Sequence, residues 1–494
     1  MPRGERPNII LIMTDNQPAD LLGTYGNSEI RSPHLDRMAA EGLRFDNAYC
    51  PNGMCSPCRA SVWTGRLPCQ HGVHTWIDDR QRPNWPDAWN AVAEFDTLPE
   101  ILKRNGYATG IIGKYHLGVP TPGHNGIDHW VTMERGHTLD FHGNVMNVNG
   151  ETFTHAGHSV DYFSEQAVAY VEGRKDAAEE PFLLFLSYNG PYGHWPSIKG
   201  RATHRFADLY DDTPMHSVPR EGVSDRAVAC YEMNTAYHSR EKGGPDFSAL
   251  LRIPNDLTSL RNYYSQMSLI DDGVGQLLAA LASTGLDDDT LVIFTADHGF
   301  SLGHHGFWGH SQATWPSNAF RIAYNIPLIV RHPGAVQSGQ SSSRYVSSMD
   351  LFATILEYTG AAADGSGDIP SRSFAGLFDA PDAEWDDAII IEQEETRAIR
   401  TPEWLFVQRF DGSGAYPLAN ELYDLVNDPG ERVNVSGDEA CRQAEEELAG
   451  RLGSYFARFA DPRFDLWRGG TVKSNTSRPW LWKDAWGDDW HPTT

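Results

Sequence analysis

Cations, cysteines and long apolar runs are what this chain has least of. Its 494 residues carry 40 Lys and Arg against 66 Asp and Glu, a formal net charge of -26. That balance excludes nucleic acid and an anionic membrane as general partners, since both would be repelled, while leaving room for a local basic pocket that takes one small anion. No stretch reaches the roughly 18 consecutive apolar residues of a membrane span, and the opening MPRGERP lacks the apolar core of a secretion signal. A soluble, cytoplasmic protein is expected. Only six cysteines occur, and four of them crowd into positions 50–69, the wrong distribution for a disulfide framework. With no internal repeat, solenoids and propellers are also set aside.

What is present is an alternation of buried-strand and helix patterns. Asn8 to Thr14 (NIILIMT), Leu43 to Tyr49, Tyr107 to Ile112, Pro181 to Ser187, Leu291 to Thr295 and Ile326 to Val330 read as strands, mostly continuous apolar runs of the kind covered on both faces. Between them, helices are expected from Ser32-Pro33 to Glu41, over 97–104, over 161–174, over 257–283 and over 349–359. Residues 120–160 read as a long loop rich in Gly, His and Asn, and 197–255 as an irregular insertion. The fold class is α/β: a large mixed, mostly parallel sheet sandwiched by helices. After a Gly, Asp, Ser and Pro-rich stretch at 361–384, short strands at 388–391, 398–410 and 421–425 and a helix at 439–459 predict a smaller α+β domain with an antiparallel sheet. The division is 1–375, 376–462 and a tail, 463–494, whose tryptophans must dock on the same subunit or on a neighbour, which leaves room for a homo-oligomer.

The strand ends carry the chemistry-bearing residues: Asp15-Asn16, Lys114 and His116, His194, and Asp297-His298. In open α/β sheets ligands bind at that edge. Together these residues form an oxygen-rich divalent-cation site beside cations suited to a tetrahedral oxyanion. Cys55 opens a helix, where backbone N–H groups favour an anion. The cysteines alone leave two readings open, a reactive or modified Cys55, or a metal cluster of Cys50, Cys55, Cys58 and Cys69.

Cys55-Ser56-Pro57-Cys58-Arg59 followed by Thr64-Gly65-Arg66 resembles the first signature of the type I sulfatases, CxPxR with TGR, and residues 106–116 (GYATGIIGKYH) resemble their second. PNIILIMTD, TADHG, NIPLIVRHPG and ELYDLVNDPGE are similar to that family in the same order, so the likeness spans residues 7 to 460. It implies that Cys55 is oxidised by a formylglycine-generating enzyme to formylglycine, whose hydrate attacks sulfur, forms a sulfate hemiacetal and releases the alcohol. The second hydroxyl then expels sulfate. The resemblance further implies that Asp15, Asn16, Asp297 and His298 hold calcium together with the modified Cys55, that Arg59 steadies the diol, and that Lys114 contacts diol and sulfate. His116 would be the base for hemiacetal collapse, and His194 the acid for the leaving oxygen or a sulfate ligand.

Asn16 and His298 depart from the commoner Asp and Asn of that family, which admits manganese or magnesium beside calcium. Where the family usually has a lysine in HGxWGK, this chain has His310; either the imidazole meets a substrate oxygen or another cation, with Lys473 a candidate, fills in. A phosphodiesterase or phosphonate monoester hydrolase is the alternative on the same scaffold. The substrate is expected to be a small or carbohydrate sulfate ester, with Trp76, Trp85, Trp89, Trp130 and Trp195 as candidate walls for a sugar face.

Overall fold

The computed structural model describes residues 6–177, 180–193, 197, 200–219, 221–222, 228, 256–362, 367–411 and 418–494. The first apolar run becomes β1 (Asn8–Asp15), all eight residues of it buried. Its side chains divide by parity: Ile9, Leu11 and Met13 enter one core, Ile10 and Ile12 the other. Such two-sided burial is why the run shows no polar alternation.

Around β1 lie β2 (Leu43–Tyr49), β3 (Ala108–Gly113), β4 (His129–Met133), β5 (Asn144–Val148), β6 (Glu151–His155), β7 (Phe182–Pro191) and β8 (Thr290–Ala296). A two-residue pair, β9 (Ser301–Leu302) and β10 (Trp308–Gly309), follows, then β11 (Leu328–Arg331) and β12 (Gln340–Ser347). Apart from β9 and β10 these form one ten-stranded sheet in the order β12-β2-β11-β8-β1-β7-β3-β4-β5-β6. β1 runs parallel to β7 and β8, and β3 parallel to β7 and β4. β11 is antiparallel to β8 and β2, and β4, β5 and β6 form an antiparallel edge. This is the mixed, mostly parallel sheet expected.

Helices cover both faces. Ser159–Gly173 and Leu257–Thr284 bury Phe163 and Ile270 against Ile10 and Ile12. Cys55–Thr64, Leu98–Arg104 and Leu351–Thr359 bury Trp63, Ile101 and Phe352 on the other side. The signals that start and stop these helices are local: Thr97 and Glu100 form a capping box, with Thr97 N–H donating to Glu100 Oε2 at 3.0 Å, and Gly285 ends the long helix at φ 78°. No helix of the described residues is long and apolar enough to cross a membrane.

A separate antiparallel sheet comprises β13 (Ile389–Gln393), β14 (Thr396–Arg400), β15 (Trp404–Arg409) and β16 (Glu421–Asp424). The helix Arg442–Phe459 covers it with Leu448, Leu452 and Phe456. The tail packs on its own chain: Leu466, Val472, Leu481, Trp482 and Trp490 enclose Phe410 and Trp315. Trp482 and Trp490 are thereby buried within the chain, while Trp486 stays 39% exposed.

Two expectations are corrected, and one strand is added. Residues 120–160 are not one long loop but hold β4, β5 and β6. The overlooked signal is Asn149-Gly150, with φ 50° and 98°, the two-residue turn between Val148 and Glu151; Asn-Gly is the commonest sequence for such a hairpin. The expected single strand at 398–410 is two, β14 and β15, reversed at Thr401-Pro402-Glu403, because Pro402 cannot donate to a ladder. β12 went unread because QSSSRYVS is polar and half exposed. Most of the 197–255 stretch lies outside the described residues.

Candidate active site

Thr14 pairs with Ala296 in the β1–β8 register, so the next residues, Asp15 and Asp297, emerge side by side at the carboxyl edge of the sheet. β3 delivers Lys114 next to them. Gly113 must be glycine here, since it sits at φ 114° with the Ser187 carbonyl oxygen 1.8 Å from where a Cβ would stand. Asn16 follows at φ 61°, a left-handed conformation that asparagine tolerates, and Tyr263 Oη donates to its carbonyl. Cys55 is the first residue of the helix Cys55–Thr64 and is buried.

Ligand atoms of Asp15, Cys55, Asp297 and His298 all lie within 4.8 Å of one another, and all four residues are buried. Arg59 grips Asp297 Oδ2 from Nη2 at 2.8 Å and Nε at 3.2 Å, stands 3.7 Å from Asp15 Oδ2, and also donates to Lys114 O at 3.1 Å and to Ser187 Oγ. Lys114 Nζ donates to Asp15 Oδ2 and lies 5.3 Å from the Tyr192 ring centre. The two carboxylates thus face two cations, and a buried charge set of this kind is tolerable only because it balances.

The balance leaves acceptors over. Asp15 Oδ1 and His298 Nε2 are buried with no hydrogen-bond partner. His298 Nδ1 lies 2.7 Å from the Gly299 carbonyl, to which it must donate, so Nε2 carries the lone pair. Two bare acceptors in one buried cluster fit a cation better than any hydrogen bond. Burial and the charge of Asp297 push the Asp15 carboxyl above its ordinary range; against burial, the charges of Arg59 and Lys114 help to hold Asp297 below its own. Burial raises the Cys55 thiol to about 12, with Asp15 and Asp297 adding to the rise, so an unmodified thiol here is not a nucleophile near neutral pH.

His116, at φ 55°, places Nε2 2.9 Å from the Ile77 carbonyl. It must donate there, which leaves Nδ1 as the basic atom, and Nδ1 is buried without a partner. Burial and the charge of Lys114 keep the ring neutral well below the ordinary histidine range. The loop that carries Ile77 is clamped from the tail: Asn475 Nδ2 donates to Trp76 O at 2.9 Å and its Oδ1 accepts from Asp78 N at 3.1 Å. The same tail segment reaches the loop after His310, where Arg478 donates to the carbonyls of Gln312 and Thr314 at 3.3 and 3.2 Å.

The edge therefore brings together Asp15, Asn16, Cys55, Arg59, Lys114, Asp297 and His298, with His116 two residues beyond Lys114 and the His310 ring 5.8 Å from that of His298. His194 and Trp195 lie outside the described residues. Lys473 does not replace the lysine missing at His310, because it is spent on Ala91 O and the Glu94 carboxylate. The four-cysteine metal reading also fails: Cys50 Sγ faces Ala323 O, Cys58 Sγ faces Ser348 Oγ, and the metal-capable group among the described residues joins Cys55 to carboxylates and an imidazole. Of the tryptophans, Trp130 is core and Trp85 and Trp89 pack on each other at 4.8 Å; Trp76 alone of the described four is half-buried, 6.4 Å from His137. Ser187, Tyr192, Tyr263 and Asn475 escaped the sequence reading. Ser187 and Tyr192 carried a signal all the same, standing in the segment where β7 ends at the carboxyl edge.

An α/β sheet with an acidic, metal-capable cluster at its carboxyl edge, an adjoining arginine and lysine, and a small antiparallel sheet at the C-terminal side define the alkaline-phosphatase-like superfamily. The chain belongs to the sulfatase family: the model described as Sulfatase matches residues 7–361, and the one described as N-sulphoglucosamine sulphohydrolase, C-terminal, matches 318–457. It is an enzyme that hydrolyses sulfate esters. It is similar to an N-acetylglucosamine-6-O-sulfatase of Bacteroides thetaiotaomicron, 25% identical over 90% of this chain and 85% of that protein. It is also similar to an ulvan-active sulfatase of Formosa agariphila, 26% identical over 92% and 82%. Among solved structures, one in complex with its substrate D-glucosamine-2-N,6-O-disulfate shares the fold with a TM-score of 0.71 at 22% identity, covering 92% of this chain and 98% of that one. The phosphonate monoester hydrolase of Agrobacterium radiobacter shares it at 0.66 and 21%, covering 92% and 97%.

Proposed function

We propose that this chain releases sulfate from a carbohydrate sulfate ester, with formylglycine made from Cys55 as nucleophile and a divalent cation held by Asp15, Asn16, Asp297 and His298. The observation that carries the reading is the buried cluster of Asp15, Cys55, Asp297 and His298 with its two unpartnered acceptors. Calcium suits the oxygen-rich set; the single imidazole also admits manganese or magnesium. When bound, the cation would neutralise sulfate oxygens and favour an ionised hydroxyl beside it. Formylglycine, as its hydrate, supplies one hydroxyl to attack sulfur and a second to expel sulfate.

The remaining work falls to side chains. Arg59, fixed by Asp297 and Ser187, orients residue 55. Against its burial, Asp15 keeps Lys114 charged, and its ammonium meets the sulfate. His116 Nδ1 accepts the proton of the second hydroxyl. His194 keeps its expected role as acid for the leaving oxygen, and His310 meets a substrate oxygen. A formylglycine-generating enzyme is the maturation partner, and the free thiols of Cys50, Cys55, Cys58, Cys69 and Cys441 suit the reducing cytoplasm.

If Asn475 fixes His116 through the 76–78 loop, Asn475→Ala lowers kcat by on the order of 10-fold with KM unchanged, checked by steady-state kinetics on one substrate. The proposed function itself is tested by co-expressing the chain with a formylglycine-generating enzyme and assaying hexose and hexosamine sulfates, an aryl sulfate and an aryl phosphonate monoester. Release of sulfate from a sugar at the highest kcat/KM is the expected result. A dominant phosphonate activity, to which the Asp297-His298 pair lends weight, would overturn it.

A further inference from the structure

A cavity of about 530 Å³ opens between the Asp79–Asn84 turn and the loop that joins β4 to β5, lined among others by Arg82, Met133, Arg135, His137, His142 and Val145. We infer that it is the subsite for the leaving alcohol and that it selects a sugar sulfate bearing a second anionic group, which Arg135 holds. The inference rests on the sulfatase reading above and deepens it.

The cavity adjoins the reacting centre by its wall. His137 lines it and has its ring 4.9 Å from that of His116. Gly136, between Arg135 and His137, lies so close to His116 that a Cβ would stand 1.9 Å from its Cδ2. The segment that shapes the cavity is thus the segment packed on the proposed base. Its volume falls in the range of small-ligand sites, enough for one or two sugar rings.

The charges separate into used and unused. Arg82 is held by Glu134 Oε2 from Nη1 and Nη2, both at 3.1 Å, while Asn147 donates to Glu134 Oε1 at 2.8 Å. That pair is satisfied and shapes the wall. His142 has Asp140 at 3.9 Å. Arg135 is exposed, lines the cavity, and has no hydrogen bond or ion pair with any described residue. In a chain of net charge -26, a guanidinium left without a carboxylate beside the catalytic edge is a fork open to one, or to a sulfate. Burial and the charge of Lys114 hold His137 neutral, with its pKa lowered to about 3, so it offers a hydrogen bond to a hydroxyl rather than a second charge. Leu139 and Val145, 43% and 44% exposed, give the C–H face of a sugar an apolar surface.

The test separates binding from turnover. Titration calorimetry on Cys55→Ala and on Cys55→Ala with Arg135→Gln would use glucosamine-2-N,6-O-disulfate, glucuronic acid 2-sulfate and glucosamine 6-sulfate. The expected result is that at least one doubly anionic sugar binds the first protein more tightly than the singly sulfated sugar does, and that Arg135→Gln weakens it by about 10 to 100-fold while the singly sulfated sugar changes by less than about 3-fold. Arg135→Lys restores part of the loss. Whether the disulfate or the uronate responds distinguishes a second sulfate from a carboxylate. In the matured enzyme the same substitution raises KM for that substrate. Equal affinity for all three sugars, or equal weakening of all three by Arg135→Gln, would overturn the inference. Retained discrimination in an enzyme that releases no sulfate would instead overturn the reaction assigned to the site.

Discussion

Cys55→Ser, expressed with the maturation enzyme, is expected to turn over once and stop. A serine at the N-terminus of the helix Cys55–Thr64 still presents one hydroxyl to sulfur, beside the same Lys114 and the same cation ligands, so an ester can form. It lacks the second hydroxyl that, in the proposed reaction, His116 deprotonates to expel sulfate, and so has no such route to release. Steady-state turnover should fall by about 10⁴-fold or more, with one equivalent of alcohol released and an intact mass raised by one sulfuryl group. The unmodified wild-type chain should be equally slow but carry no such adduct, because burial holds its thiol un-ionised with a pKa of about 12. A serine variant that cycles would show that a residue other than 55 is the nucleophile.

These expectations were partly legible in the sequence, and the reason is geometric. Asp15, Lys114 and Asp297 each end a buried strand of a mostly parallel sheet, and such ends converge by topology alone; the helix opened by Cys55 then points its N-terminus at the same edge. What could not be read were partners chosen by three-dimensional proximity. Tyr263 Oη reaches Asn16 O from the middle of a long helix, and Asn475 reaches Trp76 from the far end of the chain. Neither leaves a local pattern. The β4–β6 edge was lost to its Gly, His and Asn content although Asn149-Gly150 announced a hairpin, and β12 was hidden by its serines. The lysine missing at His310 suggested a substitute from the tail, but Lys473 proved to be bound elsewhere, so what the tail supplies is support for the loops rather than a charge.

Removing the cation should have an effect of comparable size. Chelation is expected to lower sulfate release by on the order of 10³-fold or more, and His298→Ala should do the same by deleting the one imidazole whose Nε2 faces the cluster without a partner. His298→Asn keeps an oxygen there and should retain activity with calcium while losing it with manganese. The pH dependence has a definite sign. In the metal-free protein burial and Asp297 raise the Asp15 carboxyl, so the folded state binds that proton more tightly than the unfolded chain does. Raising the pH through the folded pKa therefore removes stability from the metal-free protein. With a cation bound, Asp15 is already deprotonated and that loss is absent, while the ligand adds its own mass-action term. The gap in Tm between loaded and chelated protein should widen as the pH is raised above the ordinary carboxylate range, measured at fixed free metal concentration. A gap that narrowed as the pH rose would mean that the carboxylates of Asp15 and Asp297 do not hold the metal, and that Lys114 and Arg59 alone answer their charge.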